Sequence, residues 1–175
     1  VSRSGRVKKI YAAPGNPGMA ELAECVNIAD SDVKGLTAFA KEQEIDLTIV
    51  GPEATLSLGI VDACQAEGVK IFGPTKDAAQ VESSKDFAKK IMAKYGIPTA
   101  SYQTFDNKAD AIGYVEHQGV PIVIKEDGLK AGKGVTVAYE LKEALDAIEI
   151  AFSVPGNRVV IEECLEGFEF SLICF

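Results

Sequence analysis

Residues 1–76 alternate between short apolar runs and stretches whose apolar positions recur at helical spacing. Val7–Ala12 (VKKIYA) predicts a strand, ended by the dense turn signal Pro14-Gly15-Asn16-Pro17-Gly18. Asp32 is placed to cap a helix running through Gln43, with Val33, Leu36, Phe39 and Ala40 on one face. Asp46–Val50 (DLTIV) predicts a buried strand stopped by Gly51-Pro52. Leu58–Glu67 predicts a helix in which Ile60, Val61 and Cys64 share a face; Gly68 stops it, and Val69–Phe72 predicts the next strand. Strands and helices in alternation, joined by short loops, argue for a parallel sheet with crossover helices.

Helical pattern returns from Asp77 to Tyr95, in two pieces broken near Ser83-Ser84, and Gly96-Ile97-Pro98 stops it. The rhythm then changes. Strands are predicted at Tyr102–Phe105, Pro121–Lys125, Val135–Tyr139, Arg158–Glu163 and Glu169–Phe175, with helices at Lys108–His117 and Leu141–Ala151. This is an α+β module, and a domain boundary is expected between 77 and 98. The chain opens a few residues before a strand and closes inside an apolar one, so it is expected to be part of a longer polypeptide.

Charge narrows the function classes. The 18 Lys+Arg and 26 Asp+Glu give a net charge of −8, which disfavours general nucleic-acid binding. His117 is the single histidine, so a site with two imidazoles from this chain is excluded. Cys25, Cys64, Cys164 and Cys174 are far apart and form no CxxC pair; buried, reduced thiols in a cytosolic protein are the expectation. No apolar run approaches the roughly 18 residues of a membrane span.

The sharpest chemical feature is Lys125-Glu126-Asp127-Gly128-Leu129-Lys130-Ala131-Gly132-Lys133-Gly134-Val135. It is not a Walker A loop, because GxxxGKG here runs from strand to strand rather than from strand into helix. Two readings stand: a plain glycine-rich turn, or a cradle whose backbone amides and lysines hold a phosphate. Lys125 ends an apolar strand and either faces solvent or points into a cleft as a compact charge. Lys85 follows Ser83-Ser84 at a helix start, where free N–H groups favour an anion and a lysine is mildly unfavourable. Together Lys85, Lys125, Lys130 and Lys133 form a local cationic cluster within an acidic chain.

The run from Val159 to Glu169 is an apolar strand leading into Glu162, Glu163, Glu166 and Glu169. It reads either as a solvated strand end or as an edge whose backbone contacts an adenine while a carboxylate accepts ribose hydroxyls. A glycosidase is disfavoured, since no tryptophan is present to form a sugar platform. In the first half, Ala13–Asn16 and Gly51–Ala54 each follow a predicted strand. Such loops are either generic α/β connections or a small-molecule site at the carboxyl ends of the strands.

Taken in order, these segments resemble the glycinamide ribonucleotide synthetase (phosphoribosylamine–glycine ligase) family of the ATP-grasp superfamily. The resemblance rests on YAAPGNPG at 11–18, GPEATL at 51–56, IFGPTKDAAQVESSKDFAK at 71–89 and YGIPTA at 95–100. PIVIK, DGLKAGKGV and VVIEECLEGFEFSL complete it. The lysines, glycine hairpin and EE-L-E segment are shared across the superfamily, whereas GPEA and DGLKAGKGV are closer to this one family.

The resemblance implies an α/β fold. A partial Rossmann-like parallel-sheet (pre-ATP-grasp) domain at 1–78, lacking its first strand, is followed by an ATP-grasp domain at 79–175. In the latter, 99–163 is the small α+β lid subdomain and 164–175 the start of the core sheet. It implies a reaction in which ATP phosphorylates the glycine carboxylate and the amine of 5-phosphoribosylamine attacks the acyl phosphate. Lys85 and Lys125 match the two ATP-phosphate lysines, and Asp127, Gly128, Gly132, Lys133 and Gly134 match the flexible loop over the phosphates. Glu162, Glu163 and Leu165 match the adenine-contacting segment, and Glu169 the ribose-binding carboxylate. Gly15, Asn16, Gly51, Pro52 and Glu53 fall in loops facing the phosphoribosylamine site.

The cofactors implied are ATP with Mg²⁺ or Mn²⁺, and a cytoplasmic monomer without nucleic-acid or membrane partners is expected. The metal ligands and catalytic groups, and the family's opening strand with its GSGGREH-like loop, are expected outside this chain, which alone is then inactive. Four departures stand out: a shortened Ala151–Arg158, Phe168 at an often acidic position, and Glu126 and Lys130 where small residues are common. The alternatives are another ATP-grasp carboxylate–amine ligase or biotin-carboxylase-like enzyme, and a non-catalytic nucleotide-binding module.

Overall fold

The computed structural model describes residues 1–130 and 132–173, which fall into two compact units, Val1–Ser83 and the residues from Ser84 onward. Each is built around its own core.

In the first unit, strand β1 (Tyr11–Ala12) pairs in parallel with β2 (Glu24–Cys25), and helix α1 (Pro17–Ala20) lies between them. Asn16 accepts the Met19 amide at 3.0 Å and a proline occupies the first turn, so the Pro14–Gly18 turn signal nucleates a short helix. Helix α2 (Val33–Glu42) is capped by Asp32, which accepts the Gly35 amide at 2.9 Å. Strands β3 (Thr48–Ile49) and β4 (Ile71–Phe72) pair in parallel and bracket helices α3 (Glu53–Ser57) and α4 (Ile60–Ala66). Gly59, at φ 89°, divides these two helices in a left-handed conformation that a side chain would strain. Helix α5 (Lys76–Ser83) closes the unit. The core comprises Ala40, Ile60, Val61, Cys64 and Val69, ringed by Val33, Leu36, Ile45, Val50, Leu56 and Ile71.

The strands predicted at Val7–Ala12, Asp46–Val50 and Val69–Phe72 each contract to two residues, and together with β2, which was not predicted, they form two separate two-stranded sheets. The physical reason is exposure. A central parallel strand is buried on both faces, whereas Ile49 and Phe72 are more than half exposed.

The second unit begins with α6 (Lys85–Tyr95). Ser84 adopts an extended conformation and accepts the Phe87 amide at 3.2 Å, which explains the predicted break after Ser83. Next come β5 (Tyr102–Phe105), α7 (Lys108–Gln118), β6 (Ile122–Glu126), β7 (Val135–Ala138), α8 (Leu141–Phe152) and β8 (Val159–Glu163). The four strands form an antiparallel sheet in the order β5-β8-β6-β7.

One face of the sheet packs on α7 and α8 through Val115, Ile148, Val159 and Ile161, with Ala111, Ala144 and Ala151 letting the helices approach closely. Each fully buried aliphatic side chain contributes about 1.5–3 kcal/mol. Val160 and Glu162 lie on the opposite face, where side chains of α6 reach Glu162 and Thr104.

The strand expected at Glu169–Phe175 does not form over residues 169–173. A strand is defined by its pairing, and none of the described residues pairs with this segment; Phe168 and Phe170 are 91% and 78% exposed. Cys174 and Phe175 lie outside the described residues. Among the described residues, no helix is long and apolar enough to cross a membrane.

Candidate functional site

Strand β6 presents Ile122 and Ile124 to the core and therefore turns Lys125 to the opposite face. On the adjacent strand, Glu162 occupies the register position between Tyr102 of β5 and Val123 of β6. Glu162 is only 6% exposed, and its two oxygens take different lysines. Oε1 lies 3.0 Å from Lys125 Nζ and Oε2 lies 3.0 Å from Lys89 Nζ. Lys89, from the second turn of α6, also donates to Thr99 Oγ1 at 2.7 Å and Ala100 O at 3.1 Å, with its ammonium 5.5 Å from the Tyr102 ring. Two ammonium groups thus share one carboxylate, and Lys125 remains partly open to solvent.

The hairpin between β6 and β7 opens with Asp127. Its carboxylate accepts the Lys85 amide at 2.7 Å, the Asp86 amide at 3.4 Å and the Ser84 hydroxyl at 3.3 Å, and pairs with Arg158 Nη2 at 2.5 Å. Burial pushes the Asp127 carboxyl up, but hydrogen bonds from the Gly128, Asp86 and Lys85 backbones and from Arg158 outweigh it and hold the group below its ordinary value. The N–H groups of α6 expected to be free for an anion are therefore occupied. A loop carboxylate and the Ser84 cap take them, because a helix N-terminus attracts whichever negative group the fold supplies. Lys85 extends the other way and donates from Nζ to Gly128 O at 2.9 Å.

Gly128, Gly132 and Gly134 have φ of 90°, 75° and 77°. A Cβ would meet nothing within 4 Å at Gly128 or Gly132, so their backbone can be approached closely. At Gly134 it would press on Glu126 and Lys130 at 3.2 Å. Those two residues pair with each other at 2.7 Å, and Asn157 Nδ2 donates to the same Glu126 oxygen at 2.7 Å and to Ala151 O at 2.8 Å. The charge of Lys130 is thereby compensated locally, which removes it from the expected cationic cluster. Lys133 makes no ion pair among the described residues.

Of the acidic segment, only Glu162 joins the buried cluster. Glu163 is turned outward, accepts the Ser101 amide at 3.0 Å and the Ser101 hydroxyl, and is held below its ordinary value chiefly by those two bonds. Leu165 and Glu169 are exposed beyond β8, and Glu169 makes no hydrogen bond or ion pair among the described residues. In the first unit, Gly15 lies against the Sγ of Cys25, which is exposed on the short strand β2 rather than buried as expected (Cys64 is buried), and the Asn16 side chain is committed to capping α1. Gly51 and Pro52 lead from β3 to α3, and Glu53 sits exposed in its first turn.

Sequence reasoning missed Lys89, Asp86, Arg158 and Ser101. Lys89 follows Lys85 by four residues, which places both on one face of a helix, and that spacing was the available signal. Asp86 is buried, accepts Thr104 Oγ1 at 2.8 Å and Lys90 Nζ at 2.7 Å, and lies 3.5 Å from Arg158 Nη1. Burial raises its carboxyl, and the Lys90 and Thr104 bonds bring it below the ordinary value. Among the described residues, no group of three or more His, Cys, Asp or Glu side chains is placed to hold a metal ion.

The profile of the phosphoribosylglycinamide synthetase N domain matches residues 1–82, and that of the ATP-grasp (A) domain of the same synthetase matches residues 83–175. A phosphoribosylamine–glycine ligase of Halalkalibacterium halodurans is 52% identical over 179 aligned residues, covering 99% of this chain. The chain spans 42% of that relative's length. Among solved structures, phosphoribosylamine–glycine ligase from Thermotoga maritima matches with a TM-score of 0.73 and 27% identity, over 91% of this chain and 39% of that one. The biotin carboxylase domain of Hydrogenobacter thermophilus 2-oxoglutarate carboxylase, solved with MgADP, ADP and bicarbonate, matches with a TM-score of 0.70 over 90% of this chain and 39% of that one. At 16% identity that likeness concerns the fold alone. With both profiles matching in succession from its first residue to its last, the chain belongs to the phosphoribosylglycinamide synthetase family.

Proposed function

We propose that this chain contributes a substrate-binding domain and the nucleotide-binding lid to an ATP-dependent ligase. The ligase joins glycine to 5-phosphoribosylamine, giving glycinamide ribonucleotide, ADP and phosphate by way of glycyl phosphate. The family match and the 52% identical relative named for that ligation support the reading. The observation that carries it is the pairing of Lys125 and Lys89 with a single carboxylate, at the base of a glycine hairpin whose backbone is open at Gly128 and Gly132.

These residues fit a polyphosphate. Lys125 supplies an ammonium that Glu162 only partly neutralises, and Lys85, bonded to a neutral carbonyl, adds a second. ATP, when bound, supplies the phosphoryl group that activates a carboxylate. The chain's part is to position and to neutralise charge, which dominates catalysis of phosphoryl transfer. In this reading the hairpin residues Asp127, Gly128, Gly132, Lys133 and Gly134 close over the phosphates and exclude water from a hydrolysable acyl phosphate, Gly128, Gly132 and Lys133 by facing them and Asp127 and Gly134 by anchoring the hairpin. Glu162, Glu163 and Leu165 border the adenine, partly through their backbone, and Glu169 takes the ribose hydroxyls.

Gly15, Asn16, Gly51, Pro52 and Glu53 belong to the loops for phosphoribosylamine. Residues 99–163 act as the lid, and the segment from 164 opens the core sheet. Mg²⁺ or Mn²⁺ would be held by residues beyond those described, so this chain alone binds nucleotide without turnover. The whole ligase is proposed to be a cytoplasmic monomer.

Calorimetric titration of the chain with ATP tests the reading. Binding that is lost in Lys125→Ala supports it, whereas binding unaffected by that change overturns the role of Lys125. Ligase turnover by this 175-residue chain alone would refute the assignment of the metal ligands elsewhere.

A further inference from the structure

The buried triad Lys89–Glu162–Lys125 carries a consequence for how positive charge reaches the hairpin. Glu162 has two oxygens, and each is committed to one ammonium at 3.0 Å. The triad's charges sum to +1. The next carboxylate, Glu163, is exposed and bonded to Ser101; it feels the Lys89 charge only through space, as the smallest of the influences on its carboxyl, and stands outside the triad. Lys89 is 6% exposed and fixed by three further partners, Thr99, Ala100 and Tyr102. It cannot turn toward a ligand without breaking all of them. Lys125 has Glu162 as its one ion-pair partner among the described residues, and its side chain is 28% exposed.

We infer that Lys89 is a positioning residue that keeps Lys125 under-neutralised: by holding one oxygen of Glu162, it leaves the triad with the surplus positive charge that a polyphosphate meets at Lys125. This deepens the nucleotide-binding reading above and rests on it. Without Lys89, Glu162 and Lys125 form a neutral pair, and the same ammonium offers an anion less. Because the triad is largely withdrawn from water, the lost charge is weakly screened.

The test measures binding of ATP, tripolyphosphate and adenosine to the chain carrying Lys89→Met, Lys89→Arg or the double change Lys89→Met with Glu162→Gln. Lys89→Met is expected to weaken ATP and tripolyphosphate about tenfold and to leave adenosine within about twofold. Lys89→Arg retains the charge and stays near wild type. The double variant restores a net +1 at Lys125 and recovers most of the lost affinity for tripolyphosphate, which has no adenine to meet Glu162, a rescue that a merely structural role would not produce. Tripolyphosphate binding unchanged in Lys89→Met, equal loss for adenosine, or absence of rescue overturns the inference. A wild-type chain that binds tripolyphosphate but not ATP removes the nucleotide reading and leaves the charge count standing, and one that binds neither overturns both.

Discussion

The Asp127 carboxylate accepts the backbone amide of Lys85 at 2.7 Å, so a residue of the glycine-rich hairpin caps a helix that begins 42 positions earlier. The contact joins two segments that each looked like an independent phosphate-binding element. It makes the hairpin's first residue part of the framework, and leaves Gly128, Gly132 and Lys133 as the part presented outward.

Removing that cap has a measurable cost. Asp127→Ala is expected to destabilise the fold by about 1–2 kcal/mol, as loss of a helix cap does. Asp127→Asn, which preserves shape and loses the charge facing Arg158, should cost less. Urea unfolding of the three proteins gives the order.

The same group predicts a pH dependence. The Asp127 and Asp86 carboxyls both lie below their ordinary value in the folded chain, so they bind protons less readily there than when unfolded. Their stabilisation is complete above the ordinary aspartate value of about 3.9 and is lost as the pH falls through the depressed folded-state values. Thermal melting followed from about pH 6 to about pH 2 should show a steeper decline for wild type than for Asp127→Asn.

Glu162 is the residue whose loss should be most damaging. Glu162→Gln leaves Lys89 buried without a counter-charge, a defect worth about 3–5 kcal/mol. Adding Lys89→Met removes the stranded ammonium, so the double variant is expected to be more stable than Glu162→Gln alone. Additive losses in a denaturation cycle would contradict the pairing.

At the hairpin, Gly134→Ala combines a left-handed φ of 77° with a Cβ pressed on Glu126 and Lys130 at 3.2 Å. Gly128→Ala has an equally unfavourable φ but open space. Both lose about 1–2 kcal/mol from conformation, and Gly134→Ala should lose more because it disturbs the Glu126–Lys130 pair. Chemical denaturation compares them directly.

The second unit was largely legible in the sequence. Tyr102–Phe105 and the helices from Lys108 and Leu141 were readable because periodicity, caps and glycine stops agree there. The first unit was less so. Its apolar runs predicted full strands, but strand length depends on pairing and on cover for both faces, neither of which is written locally. Helix α3 was hidden inside GPEATLS, where Gly-Pro reads as loop, and α1 inside a proline–glycine turn.

At the candidate site, the residue types were visible and their partners were not. Glu162 looked like one of four acids at a strand end, and only the register across β5, β8 and β6 shows it buried between two lysines. Likewise the sequence does not show that Glu126 and Lys130 pair with each other, or that Asn157 joins them.

The strand order β5-β8-β6-β7 has a consequence for how this unit comes into being. β8, the last strand among the described residues, sits between β5 and β6 and is the strand through which β5 joins the sheet. During synthesis β6 and β7 can form a hairpin as they emerge, but β5 waits with an unpaired edge until residue 163 has been made. Glu162 lies on that same strand, so a nascent chain holds Lys89 and Lys125 without their shared carboxylate until β8 has been made.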